Sequence, residues 1–192
     1  MAVTSTMLAL GTEAPDFSLP DVVSGETVSL SDYADETGLL VMFICNHCPY
    51  VKHVRSELAA IGRDYADSGI GIVAICSNDP EVSPGDAPEL MKEEAATQGY
   101  VFPYLFDESQ DVAAAYTAMC TPDFFLFDAE RKLVYRGRMD ESRPDSGIPV
   151  TGRELRAAMD AVLAGEPVSD EQNASMGCSI KWAEGRQPAY FG

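Results

Sequence analysis

Cys45-Asn46-His47-Cys48 is the segment of this sequence best suited to chemistry. A Cys-x-x-Cys pair can close and reopen a small disulfide ring, moving two electrons each time. The same spacing also offers two thiolates to a soft metal. The pair alone therefore leaves redox and metal chemistry open. His47, inside the pair, would favour a neighbouring thiolate when protonated, stabilising the dithiol and making the couple more oxidising. His53, the second of two histidines, follows shortly after and reads as a surface or packing residue. A metal-binding module would draw on Cys45, Cys48, His47, His53 and Cys120 to hold copper(I) or zinc. Against it, the chain has no second Cys-x-x-Cys to complete a structural zinc site. No cofactor is implied, and no residue is assigned as a metal ligand.

The flanking elements favour redox chemistry. The run Leu39-Leu40-Val41-Met42-Phe43-Ile44 is continuously apolar, as in a strand buried on both faces. Pro49 suits a first helical turn, and Val51, Val54, Leu58 and Ile61 recur at helical spacing, with Gly69 or Gly71 closing the helix. The cysteines thus sit where a buried strand hands over to a helix start. Free N–H groups and the positive dipole end are found there, and both stabilise a thiolate. The expected sequence of events is attack by Cys45 on a substrate disulfide and resolution by Cys48. A peroxidase reading instead makes Cys48 the sulfur that is oxidised to a sulfenic acid, with Cys45 or Cys178 resolving it.

A second signal is Cys120-Thr121-Pro122, just before the apolar run Phe124–Phe127. Proline at a strand entry lacks a ladder donor. A cis Thr121–Pro122 peptide would expose the backbone of Thr121 as an edge on which a substrate polypeptide could pair. Elsewhere, residues 17–30 read as a hairpin turning at Ser24-Gly25, and 72–76 as a second buried strand. Residues 77–88 read as an acidic surface loop. Residues 88–98 and 109–117 read as helices, and 101–106 as an edge strand because of Pro103. Residues 123–128 and 133–136 read as antiparallel strands. A last helix runs to Gly165 from a capping box at Thr151 and Glu154. The tail, 166–192, has few core signals. The pattern is one α/β domain over 1–192, a mixed central sheet with helices on both faces and an N-terminal β-hairpin.

The 192 residues carry 31 acidic and 13 basic side chains, a formal net charge of −18. Such a surface repels nucleic acid and anionic membrane and argues against both as partners. It is compatible with plain solubility or with adaptation to salt. The first ten residues hold no Lys or Arg, so no signal peptide is expected and a cytoplasmic location follows. The five cysteines do not suggest a structural disulfide framework. Cys76 reads as core. Cys120, next to Thr121-Pro122, is either a thiol touching the pair or a small buried hydrophobe. Cys178 is either a resolving thiol or part of a packing segment anchored by Trp182. Arg136 and Arg138 read as surface partners of Asp140 and Glu141. Nothing in the sequence is diagnostic of oligomeric state.

The segments FICNHCPYVKH, ICSND, CTPDFFLFD, YRGRMDESRP and GCSIKW together resemble the peroxiredoxin-like branch of the thioredoxin superfamily, in the alkyl hydroperoxide reductase/thiol-specific antioxidant grouping. The resemblance runs from Gly11 to Trp182. It implies the thioredoxin fold, with Pro122 as the cis-proline facing the cysteine pair. Its substrates would be protein or small-molecule disulfides or peroxides, and its reductant a thioredoxin or glutathione system. Two departures are plain. Cys45 stands where a peroxiredoxin places threonine, and Pro122 stands where it places arginine. The frame is similar to a peroxiredoxin and the site to a thioredoxin.

Overall fold

The computed structural model describes residues 2–191. Its centre is a five-stranded sheet of β4 (Gly38–Phe43), β5 (Ile70–Cys76), β6 (Tyr104–Phe106), β8 (Asp123–Phe127) and β9 (Leu133–Gly137), in the order β6-β5-β4-β8-β9. β4, β5 and β6 run parallel, while β8 runs antiparallel to both β4 and β9. The expected mixed sheet is present, with the Pro103-led strand at its edge.

Every residue of β4 is buried, because both faces of the sheet are covered. Leu40 and Met42 point to one side, into a core shared with α1 (Pro49–Asp64), α2 (Pro88–Gln98) and α4 (Arg153–Ala164). Leu39, Val41 and Phe43 alternate to the other side. There they meet Phe17, Tyr116, Phe125, Ile180 and Trp182, under α3 (Asp111–Ala115). Phe43, Tyr116 and Phe125 pack with ring centroids 5.5–5.8 Å apart. The hairpin of β2 (Ser18–Pro20) and β3 (Thr27–Ser29) turns at Ser24-Gly25, where Gly25 has φ 81°, a value suited to glycine.

Four expectations need correction. The helix after the cysteine pair stops at Asp64, before either glycine. Gly71 lies inside β5, where a Cβ would come within 2.3 Å of the Tyr33 ring. The last helix has no capping box. Gly152 occupies its N-cap at φ 65°. The N–H groups of Thr151 and Gly152 both go to Asp140, at 2.7 Å each, and Glu154 pairs with Arg138. The loop at 77–88 is not simply surface, since Ser77, Asn78, Ser83 and Asp86 are buried.

The tail is the fourth. It contributes β10 (Met176–Ser179), which lies between β1 (Ala2–Thr4) and β7 (Cys120–Thr121) in a separate antiparallel sheet. Two glycines make this close approach feasible. A Cβ on Gly137 would lie 2.0 Å from the Asn173 carbonyl oxygen. One on Gly177 would lie 1.9 Å from that of Thr121. Beyond β10, Gln110 fastens the chain, donating from Nε2 to the carbonyls of Ser77 and Lys181 and accepting from the Ala183 N–H. No helix is long and apolar enough to cross a membrane among the described residues.

Candidate active site

β4 delivers Cys45 just past its last residue, and α1 begins immediately after Cys48, which is its N-cap. Cys45 is 2% exposed and Cys48 0%. Pro49 opens the helix, where its missing N–H costs nothing. The N–H of Val51 faces the Cys48 sulfur, in the manner of an N-cap contact. The Thr121–Pro122 peptide is cis and stands opposite. Thr121 Oγ1 lies 3.1 Å from Cys45 Sγ, and the Cys48 thiol donates to the Thr121 carbonyl at 3.2 Å. The four residues expected to form the centre, Cys45, Cys48, Thr121 and Pro122, are therefore together.

The two sulfurs share one proton unequally. The neighbouring Cys45 thiol is the largest influence on Cys48. With the Cys178 thiol and the N–H groups of Val51 and Cys178, it outweighs burial and lowers Cys48. Cys45 is pushed up, first by its hydrogen bond to Cys48, then by burial and the negative charge of Asp86. These influences favour a charge on Cys48 over one on Cys45, while Cys45 is the sulfur expected to attack. Cys48 also touches the helix terminus, whereas Cys45 lies three residues before it, beside a carboxylate.

That carboxylate is Asp86, which the sequence reading did not single out. It comes from a short 3-10 turn, Pro84–Asp86, and is fully buried. Its Oδ1 accepts from the Asn46 N–H at 2.8 Å. Its Oδ2 accepts from Asn78 Nδ2 and Ser83 Oγ, each at 2.7 Å, and meets His47 Nδ1 at 2.6 Å. A carboxylate only accepts, so His47 carries its hydrogen on Nδ1. Asn46 is also held, by the Gly85 carbonyl and Tyr104 hydroxyl. Both residues inside the cysteine pair are thus anchored to the loop that reads as mere surface. The polar run Ser77-Asn78-Asp79, following an apolar strand, is the signal that was available. Donor atoms of Cys45, His47 and Asp86 lie within 4.8 Å of one another. The Asp86 oxygens are already engaged by four donors, so the cluster accounts for itself as a clamp on the loop.

The remaining candidates separate clearly. His53 lies outside the pair's contacts and donates from Nε2 to Ser142 Oγ at 2.7 Å, since that hydroxyl gives its own hydrogen to the Ile148 carbonyl. Cys76 is fully buried in β5, its thiol pushed up by desolvation. Cys120 is buried, turned toward the Pro122 carbonyl at 3.7 Å and held protonated by burial. Cys178, on β10, packs against the core that holds the pair, and burial raises its thiol to about 11. Arg138 forms a forked pair with Glu154, and Glu141 takes Arg153 instead. Asp140 is buried and bound by N–H groups. Arg136 holds the Leu8 carbonyl and Gln172.

One further group went unread. Asp123 directly follows Pro122 and is fully buried, yet neither carboxyl oxygen has a hydrogen-bond partner among the described residues. The Ser175 hydroxyl, just before β10, is likewise unpartnered. Burial raises Asp123 to about 8, against a weaker pull from Ser175 and the N–H groups of Phe124 and Met119. An aspartate opening the apolar run Phe124–Phe127 was its sequence signal.

Residues 10–136 match the AhpC/TSA family. The chain belongs to that family. The thiol-disulfide oxidoreductase ResA of Geobacillus kaustophilus (strain HTA426) is 31% identical over 139 residues, covering 70% of this chain and 73% of its own. A "Putative peroxiredoxin" of Mycobacterium tuberculosis (strain ATCC 25618 / H37Rv) is 30% identical over 114 residues, 59% of this chain and 67% of that protein. Among solved structures, an uncharacterized conserved protein from Geobacillus kaustophilus superposes with a TM-score of 0.94 at 54% identity, over 96% of this chain and 97% of that one. The thioredoxin domain of a thiol-disulfide oxidoreductase from Bacteroides vulgatus, 24% identical with a TM-score of 0.57 over 71% of this chain and 90% of that one, establishes the thioredoxin fold.

Proposed function

We propose that this member of the AhpC/TSA family is a thiol–disulfide oxidoreductase whose working pair is Cys48 and Cys45. The observation that carries this reading is a Cys-x-x-Cys pair at a strand-to-helix boundary, with Cys48 at the N-cap of α1 and the residue before the cis Thr121–Pro122 peptide bond touching both sulfurs. The Cys48 thiolate attacks one sulfur of a substrate disulfide. The substrate S–S bond breaks, and the expelled thiolate takes a proton from solvent. Cys45 then gives up its proton and attacks Cys48, expelling the second substrate thiolate and closing the Cys45–Cys48 ring. Two electrons pass to the substrate. A dithiol reductant of the thioredoxin or glutathione type restores the pair. Thr121 contacts both sulfurs and precedes the cis Pro122, and because its strand edge is paired with β10, an external substrate docks there only when the tail strand gives way. His47 tunes the couple through its place between Cys45 and Asp86. A cytoplasmic location belongs to the same proposal, and thiol trapping in fractionated cells tests it.

Disulfide-reduction assays with Cys45→Ser and Cys48→Ser test the roles. Cys48→Ser should reduce no disulfide. Cys45→Ser, which cannot close the Cys45–Cys48 ring, should turn over far more slowly than the wild type. Full turnover in either variant contradicts the assignment.

Peroxide is the second substrate class. The low Cys48 thiol, followed by Pro49, favours it. The one hydroxyl at the pair, that of Thr121, is turned to Cys45, so the pair gives little to polarise a peroxide. Stopped-flow mixing with hydrogen peroxide discriminates: fast second-order oxidation that survives in Cys45→Ser would make peroxide the substrate.

A further inference from the structure

The edge on which a substrate polypeptide was expected to pair is taken by the chain's own tail. β10 runs antiparallel to β7, with Cys178 opposite Thr121 and Ser179 opposite Cys120. Gly177 is pressed against the Thr121 carbonyl, where no larger residue fits. Cys178 packs against the core cluster that contains Cys48, and the Cys48 thiol is hydrogen-bonded to the carbonyl of Thr121, the residue opposite Cys178. A strand added to this edge, with one cysteine against the attacking sulfur, is the arrangement a substrate disulfide would need. Cys48 has no exposed surface.

Building on the oxidoreductase reading, we infer that the tail strand is an internal substrate, and that Cys178 is a third redox thiol forming a disulfide with Cys48. In the oxidised protein, the Cys178 thiolate attacks Cys48. The Cys48–Cys178 bond forms, the Cys45–Cys48 bond breaks, and Cys45 leaves and takes up a proton equivalent to the one Cys178 lost. No electrons enter or leave, so the step needs no outside oxidant. The oxidised protein then has two forms, one with the usual ring and one with the tail tied to the start of α1. In the reduced protein the same strand shields the thiolate. Other groups near Cys178 fit this role: Lys181 favours its thiolate, Cys120 is held neutral by burial, and Asp123 lies beyond Cys120.

Trypsin gives a direct readout. The first Lys or Arg of the chain is Lys52, so Cys45 and Cys48 share the peptide 1–52, while Cys178 lies on 157–181. Cys120 and Cys76 fall on two other peptides, 93–131 and 64–92. Full-length protein oxidised with oxidised dithiothreitol should yield the linked pair 1–52/157–181 alongside the internally bridged 1–52. In Cys45→Ser the linked pair should become the main product, and in Cys48→Ser or Cys178→Ser it should vanish. If Cys45→Ser consumes its Cys48 thiol under the oxidant without linking to 157–181, Cys178 is not a redox partner. If Cys178→Ser keeps the internal bridge and full turnover in that case, the oxidoreductase reading stands and only this inference falls. Loss of the internal bridge in the wild type as well would instead strike the oxidoreductase reading itself.

Discussion

Two equally buried carboxylates flank the cysteine pair, and they are treated in opposite ways. Asp86 accepts from four donors and fixes both residues inside the pair. Asp123 accepts from none, and the nearest hydroxyl, Ser175, is unpartnered too. A buried carboxylate is tolerated as an anion only when its lone pairs are satisfied, and otherwise it keeps its proton. The Asp86 side is therefore built to hold still. The Asp123 side, where the tail strand lies, contains buried groups whose satisfaction improves if water enters. The comparison separates a wall that holds the residues between the thiols from a wall under the tail strand whose buried carboxyl keeps its proton.

The largest expected effect is on the rigid wall. Asp86→Ala strands the Asn46 N–H, Asn78 Nδ2, Ser83 hydroxyl and His47 Nδ1, so unfolding in urea should show a loss of about 3 kcal/mol or more. A loss under ~1 kcal/mol would mean that water replaces the carboxylate freely and that the clamp is not structural.

Next comes the wall formed by the tail strand. Gly177→Ala places a methyl against the Thr121 carbonyl, so the tail strand must shift, at about 1–3 kcal/mol. The telling readout is alkylation of Cys48, which should accelerate at least several-fold as the strand lifts. An unchanged rate would show that the strand does not shield the sulfur.

Asp123→Asn should act in the reverse direction. The folded carboxyl keeps its proton up to about pH 8, whereas in the unfolded chain it ionises near 4. Folding then binds a proton throughout that window, so this group makes stability fall as pH rises from about 4 to about 8. Removing the charge should stabilise the protein by roughly 1–3 kcal/mol at pH 8, with little effect at pH 4. Thermal melts across that range check it, and equal melting shifts at both pH values would contradict it.

The smallest effect is expected from His47→Ala. Losing one partly exposed ring near the pair should move its reduction potential by no more than about 30 mV, toward weaker oxidation. Equilibration against glutathione measures the shift.

What the sequence made legible was whatever repeats with a short period. The run from Leu39 to Ile44, the Val51–Ile61 spacing and the edge position of Pro103 all appear as read, because burial imposes a pattern on neighbouring residues. The cysteine pair and Thr121-Pro122 were legible for the same reason, each lying at a strand boundary. Groups satisfied at long range were missed. Ser83 and Asp86 look like loop residues until His47 and Asn46, some 40 positions earlier, are set beside them. Met176-Gly177-Cys178-Ser179 lacks the branched and aromatic residues that mark a strand, and its partners lie at Ala2–Thr4 and Cys120–Thr121. Thr151 and Glu154 have the spacing of a capping box, but Asp140 and Arg138 compete for both.

The central claim is that Cys48 carries the thiolate, and its ultraviolet absorbance as a function of pH tests this most directly. The wild type should show one thiolate already formed at about pH 6, well below the range of a free cysteine, and Cys48→Ser should lack it. If no thiolate appears until about pH 8, or if the signal survives in Cys48→Ser, the charge is not where the helix start places it and the assignment of roles is wrong.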